Sequence, residues 1–426
     1  MSLIPKRYSA AVAGALGNML EWFDFAIYGY FASALGKVFF PADDPVLQTI
    51  ASFGIFAIGY LARPIGSLIL GPIGDSLGRR KMMTWSIMIM GVASFLVALL
   101  PSYAQIGAIA AYALLVLRMA QGFSIGGEYT GSMVYAAEAA PQGRDGLMSG
   151  IAHAGALLGF FLGSLTAALI ASIFGEDQVN EWAWRLPFLL GAFVAIAGWY
   201  LRVHMPETLE VAITRSIGFK ELRIIIATRL HEVGKAWRTL VQIAALISFS
   251  NVLFYVMFVY FVDYVAKHGS SMQSANTVAT IIQSIGIPLV VLGGWLADRL
   301  GRVTITRYAT WAGAILTIPA VLSAQLGGIM GLAIGQLLAV APVMILFGAQ
   351  GVLISRLVSP EQRCSVFAIG YSLAVALFAG TAPMVTAWLL EVQLWAWGPA
   401  IYCFAYAIPA MVALQQLKEN EESQFH

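Results

Sequence analysis

The chain has 426 residues, of which 59% are hydrophobic and 11% charged, with a mean hydropathy of +0.80 and a formal net charge of +2. These values lie well outside the range of a soluble globular domain and point to an integral membrane protein. A disulfide scaffold and a cysteine-based metal site are excluded too, because the only cysteines, Cys364 and Cys403, sit in or beside apolar runs as small packing residues.

A bilayer core takes roughly 20 apolar residues per helix. That rule predicts twelve spans, near 10–33, 47–70, 82–100, 107–137, 147–173, 185–203, 238–264, 275–297, 304–322, 328–355, 364–390 and 395–415. The first span carries Glu21 and Asp24 and has no clear small-residue cleavage site, so it reads as a retained helix and not a signal peptide. Glu21 and Asp24 are three apart and share one helix face. Trp22 and Tyr28 in the same span are candidates for lining a substrate site, since aromatic faces attract ammonium groups. Gly14 and Gly17, with Gly155, Gly159 and Gly163 of the fifth span, suit close helix packing.

The second span holds Arg63 and ends in GPIGDSLGRR, Gly71 to Arg80. Arg118 and Glu128 lie in the fourth span, His153 in the fifth. A charge at the bilayer centre costs about 3 kcal/mol on insertion scales, so these six embedded groups are functional candidates. Arg keeps its proton, so Arg63 and Arg118 can hold a carboxylate but cannot carry a coupled proton. Asp24, partnered by Arg118, is the leading proton-coupling candidate, with Glu21, Glu128 and His153 as rivals. Arg63 either meets the anionic end of a substrate or pairs with Glu128 or Glu21.

Between the sixth and seventh spans lies the only long polar segment, Val203 to Trp237, with Arg215, Lys220, Arg223, Arg229 and Lys235 interleaved among Glu207, Glu210, Glu221 and Glu232. It divides the chain into bundles 1–203 and 238–426 joined by a linker, 204–237, suited to an amphipathic surface helix. The seventh span offers Asn251 and Tyr255, four apart on one face, as neutral substrate-binding candidates. The eighth ends in GGWLADRLGR, Gly293 to Arg302, a second copy of the earlier loop about half the chain away. A short charged hinge at the same place in both halves suggests two bundles moving against each other. Gly71, Asp75, Gly78, Arg79, Arg80, Asp298, Gly301 and Arg302, with Glu138 and Arg144 at the inner end of the fourth span, form a candidate gate. In it, Asp75 and Asp298 are expected to accept hydrogen bonds at the start of the next helix.

Arg63 and Arg118 fall within spans and Lys37, Arg185 and Lys267 on one side. The rest of the 24 Lys and Arg fall on the other. By the positive-inside rule the duplicated loops and both termini are cytoplasmic. Trp182, Trp184, Trp395 and Trp397, near the outer span ends, read as interfacial anchors.

The duplicated loops resemble the signature of the major facilitator superfamily. The strings EWFDFAIYGY at Glu21 to Tyr30, GYLARPIG at Gly59 to Gly66, RMAQGFSIGGEYTGS at Arg118 to Ser132 and WAWRLPFLLG at Trp182 to Gly191 resemble its metabolite:proton symporters. LGKVFFP at Leu35 to Pro41 and AGTAPMVTAWLLE at Ala379 to Glu391 are most similar to the proline/betaine branch. The resemblance implies an all-α fold of twelve transmembrane helices in two pseudo-symmetric six-helix bundles. It also implies proton-coupled import of a small carboxylate-bearing metabolite by alternating access, in a bacterial inner membrane. Sugar symporters of the superfamily likewise pair a first-helix acid with a fourth-helix Arg. Di- or tricarboxylate transport, and facilitation without a proton, are the alternatives; a non-transporting sensor is a remote one. The tail Gln415 to His426 is too short for several coiled-coil heptads, so osmotic activation through such a tail is not expected. No enzyme motif of the HExxH, Walker or GxSxG kind occurs. The expected partners are a small-molecule substrate, protons and lipid, with no nucleic acid, cofactor or metal, and a monomer suffices.

Overall fold

The computed structural model describes residues 9–40, 45–203, 219–392 and 395–423. These are helical apart from short connections. Among them, ten helices are long and apolar enough to span a bilayer. Two more precede them, α1 (Ser9–Tyr30) and α2 (Pro45–Leu77). The others are α3 (Arg79–Leu99), α4 (Ile109–Glu138), α5 (Asp145–Gly175), α6 (Arg185–Val203), α7 (Trp237–Val265), α8 (Met272–Leu300), α9 (Arg302–Leu326), α10 (Gly328–Leu357), α11 (Arg363–Leu390) and α12 (Gly398–Leu417). Twelve helices thus stand at the twelve expected places, α1 to α6 in one bundle and α7 to α12 in the other. Of the linker, Glu207, Glu210 and Arg215 lie outside the described residues, while Phe219–Lys235 is a helix whose Val233 is buried in the core.

Close backbone approach explains the glycines. A β-carbon at Gly155 would lie 2.0 Å from the Ala15 carbonyl oxygen, and one at Gly159 2.3 Å from that of Met19, so α1 and α5 cross in van der Waals contact. Gly122 and Gly126 do the same for α2 and α4, with a β-carbon 1.9 Å from the Gly59 oxygen and 2.2 Å from the Arg63 oxygen. Large side chains such as Leu61, Phe193, Ile196 and Ile315 instead face outward and exposed, as a lipid-facing surface requires.

One anchor expectation is corrected. Trp182, Trp395 and Trp397 are exposed, but Trp184 is fully buried. Its ring packs edge-on against Phe39 of a short helix, Ala32–Phe39, that folds back over the bundle, and Arg185 covers it. Position near a span end did not reveal that this short helix would enclose it.

Candidate substrate and gating sites

The first bundle presents a cationic, aromatic surface to the second. Arg63 is 3% exposed, and its guanidinium carbon lies 4.8 Å from the ring centre of Trp22, 4.9 Å from Phe25 and 4.4 Å from Tyr60. Its Nε and Nη2 have no acceptor among the described residues, and neither does Trp22 Nε1. Three buried donors without acceptors in one enclosure form an acceptor-shaped site, since buried polar groups are nearly always paired. Aromatic contacts carry the enclosure across the bundles. The Tyr255 hydroxyl donates to the Tyr60 hydroxyl at 3.3 Å, the rings of Tyr129 and Tyr371 lie 5.0 Å apart, and His153 stacks on Phe347 at 5.1 Å while bonding Tyr129 at 3.0 Å.

Trp22, Arg63, His153 and Tyr255 therefore belong to one cluster. Tyr28 does not: it lies under Arg118, 4.1 Å from its guanidinium, in the half of the first bundle away from the repeated loops. Asn251 turns its amide nitrogen back to the Ile247 carbonyl at 2.9 Å, along its own helix.

Asp24 and Arg118 meet through Gln121. The Gln121 amide donates to Asp24 at 2.6 Å and accepts from Arg118 at 2.8 Å, and Ser94 also donates to Asp24. Glu128 pairs with Arg202, which also donates to the Met83 carbonyl at 2.9 Å. One of the partners considered for Arg63 is therefore taken: Glu128 pairs with Arg202, a buried residue only 1% exposed. Gly17 makes the room, for a β-carbon there would lie 1.6 Å from Arg202 Nη2 and 2.5 Å from Glu128 Oε1. Its role is thus clearance for a charge pair more than helix packing. A buried Glu with no charge nearby in sequence was the available signal.

At the basic end, both repeated aspartates cap helices of the opposite bundle. Asp75 accepts from the backbone N–H of Cys364 at 2.9 Å and of Ser365 at 2.8 Å, and from the Ser365 hydroxyl at 2.5 Å, at the start of α11. Asp298 accepts from Gly146 N–H at 2.7 Å and Leu147 N–H at 2.8 Å, at the start of α5. The expectation that they cap the next helix is corrected: α3 and α9 begin at Gly78 (φ 103°) and Gly301 (φ 90°) without a side-chain cap. Those left-handed turns, which favour glycine, swing the chain away and leave each Asp free to reach across the seam. Exposed helix N-termini receive an acid well because their N–H groups lack partners. Gly71 allows the approach, since a β-carbon there would lie 2.8 Å from the Ser365 Cα.

Ion pairs surround the caps. Arg79 binds Asp75 at 2.6 Å, Glu138 at 3.4 Å and the Pro360 carbonyl at 2.7 Å, and Arg363 binds Glu138 at 3.0 Å. Arg302 and Arg356 converge on Asp145 at 2.8 and 2.9 Å. Arg80 and Arg144 stand beside these groups in sequence, Arg80 half-buried and Arg144 exposed. Asp145, Arg356 and Arg363 were missed because acids at helix starts and arginines in basic loops are common for topological reasons alone.

A model of the Major Facilitator Superfamily matches residues 14–383. The chain belongs to the Major Facilitator Superfamily. It is 35% identical to the proline/betaine transporter of Salmonella typhimurium over 97% of this chain and 84% of that protein. The glycine betaine/proline/ectoine/pipecolic acid transporter of Dickeya dadantii is 34% identical over 96% and 83%. These superfamily relatives are named as transporters, not enzymes. Among solved structures, a proton:xylose symporter bound to 6-bromo-6-deoxy-D-glucose superposes with a TM-score of 0.78 at 18% identity, covering 97% of this chain and 95% of that one. That likeness bears on the fold.

Proposed function

We propose that this chain is a proton-coupled symporter that imports a small zwitterion of the proline or betaine kind by alternating access. The observation that carries the reading is the Arg63 enclosure, with donors for a carboxylate and aromatic rings for a cationic nitrogen. Arg63 Nε and Nη2 and Trp22 Nε1 are buried donors with no acceptor among the described residues, and guanidinium–carboxylate hydrogen bonds are among the strong ones. The rings of Tyr60, Tyr129, Tyr255 and Tyr371 stand close enough to hold an ammonium by cation–π attraction, worth up to ~2 kcal/mol when desolvated. The names of the proline/betaine relatives support the same substrate class. Asp24, Glu21, Glu128 and His153 are the groups able to titrate within this bundle, and the excess of basic residues on the duplicated loops favours both termini in the cytoplasm of a bacterial inner membrane. The bundles 1–203 and 238–426 then rock about the linker 204–237, with the aspartate caps latching the cytoplasmic side. One copy of the chain contains every group invoked.

Uptake into proteoliposomes tests the reading, with labelled glycine betaine, proline, 2-oxoglutarate and citrate, with and without an inward proton gradient. Gradient-driven accumulation of glycine betaine or proline is expected. Accumulation of only the multicarboxylates would replace the substrate class, and equilibration indifferent to the gradient would leave a facilitator.

A further inference from the structure

Resting on that reading, the structure points to a place for the coupled proton other than Asp24. Glu21 is fully buried on α1, and neither of its carboxyl oxygens has a hydrogen-bond donor among the described residues. It lies one turn after Gly17, on the face that meets the Arg202–Glu128 pair. The charged groups that act on it are Arg63 of α2, Glu128 of α4 and Arg202 of α6, with Ser86 of α3 nearby. Ser86 already donates to the Ser124 carbonyl at 2.8 Å. Asp24, one turn further along α1, is engaged by Ser94 and Gln121, and His153 of α5 is turned to Tyr129 and Phe347. Glu128 Oε1 accepts from Arg202, and its Oε2 has no donor among the described residues.

Charge counting separates two units. Asp24 and Arg118 balance each other through Gln121. Glu21, Glu128, Arg63 and Arg202 also balance, two carboxylates against two guanidiniums, as long as Arg63 is free to act on Glu21. We propose that Glu21 is the proton-coupling residue, and that a substrate carboxylate seated on Arg63 is what loads it. The bound zwitterion adds no net charge, but its carboxylate takes Arg63 as its own partner while its nitrogen sits on the rings, so Glu21 is left without the guanidinium that acts on it. A proton from the outer aqueous phase bonding to a Glu21 oxygen neutralises that unpaired carboxylate, which at this depth would cost several kcal/mol. When the substrate leaves on the other side, Arg63 again favours the ionised carboxylate and the proton departs to water. Linkage requires the reverse as well, so a proton on Glu21 tightens substrate binding.

The test is calorimetric titration of the purified full-length chain with glycine betaine, whose quaternary nitrogen exchanges no proton, in buffers of different ionisation enthalpy. Wild type is expected to take up about one proton per glycine betaine bound. Uptake should vanish in Glu21→Gln and persist in Asp24→Asn. It should be kept in Glu21→Asp, which retains a carboxyl group on the same face of α1 and leaves the Arg202–Glu128 pair intact. This second variant keeps the inference testable if Glu21→Gln folds poorly. Uptake that survives Glu21→Gln, or is lost in Asp24→Asn and kept in Glu21→Gln, overturns the assignment, as does wild-type binding without uptake. Absence of binding of glycine betaine, proline and ectoine would instead remove the substrate reading, and this inference with it.

Discussion

Arg63 is a planar donor fork held face-on among three rings, so its loss should be felt in binding before stability. Arg63→Gln removes the charge-assisted hydrogen bonds to a carboxylate, worth about 1.5–3 kcal/mol, and glycine betaine affinity should fall roughly 10- to 150-fold by titration. Gly17 gives the opposite kind of prediction. A methyl group there would lie 1.6 Å from Arg202 Nη2. Gly17→Ala must part the buried Arg202–Glu128 pair, at a cost of about 3–5 kcal/mol, and should lower the unfolding temperature markedly. Gly14→Ala, whose new atom meets its nearest neighbours at 3.3 Å, should change it far less. An unchanged melting curve in Gly17→Ala would mean that the pair does not hold the bundle. Single residues were the least legible scale. The embedded acids and Arg63 stood out as charges inside apolar runs, whereas Arg202, two residues before a loop, looked like any inner-face arginine until α6 placed it beside Glu128.

Elements were far more legible, because twelve apolar runs of bilayer length leave few alternatives and the charged loops fall between them. Two features escaped. Val256–Tyr260 in α7 and Val375–Ala379 in α11 are π-helical turns, following closely on Tyr255 and Tyr371. A π turn differs from an α turn by one residue and has no compositional mark, yet it re-aims the side chains around it. The destination of the Asp75 and Asp298 caps also escaped, since sequence names the acid but not which helix start lies opposite. The caps make α11 a reporter. Cys364, at its first turn, is 1% exposed against Gly74 and Asp75. Removing a cap costs about 1 kcal/mol, so Asp75→Ala in a Cys403→Ser background should speed maleimide labelling of Cys364 by roughly fivefold. An unchanged labelling rate would mean that the contact sets no conformational balance.

For the whole molecule, the two caps act on one equilibrium. Losing both, in Asp75→Ala with Asp298→Ala, should shift it by about 2 kcal/mol, or roughly 30-fold toward opening at the basic end, readable as the same labelling rate. The surrounding ion pairs are less symmetric, for both acids, Glu138 and Asp145, come from the first half and three of the arginines, Arg302, Arg356 and Arg363, from the second. The caps alone repeat faithfully: each half contributes one aspartate at the end of its second helix and receives the other at the start of its fifth. A surface that gives and receives the same element is the mark of an isologous contact between identical subunits, here written into one polypeptide. The halves then hold the determinants of their own mating apart from the segment that joins them. Residues 1–218 and 219–426, made as separate chains in one cell, should find each other and co-purify.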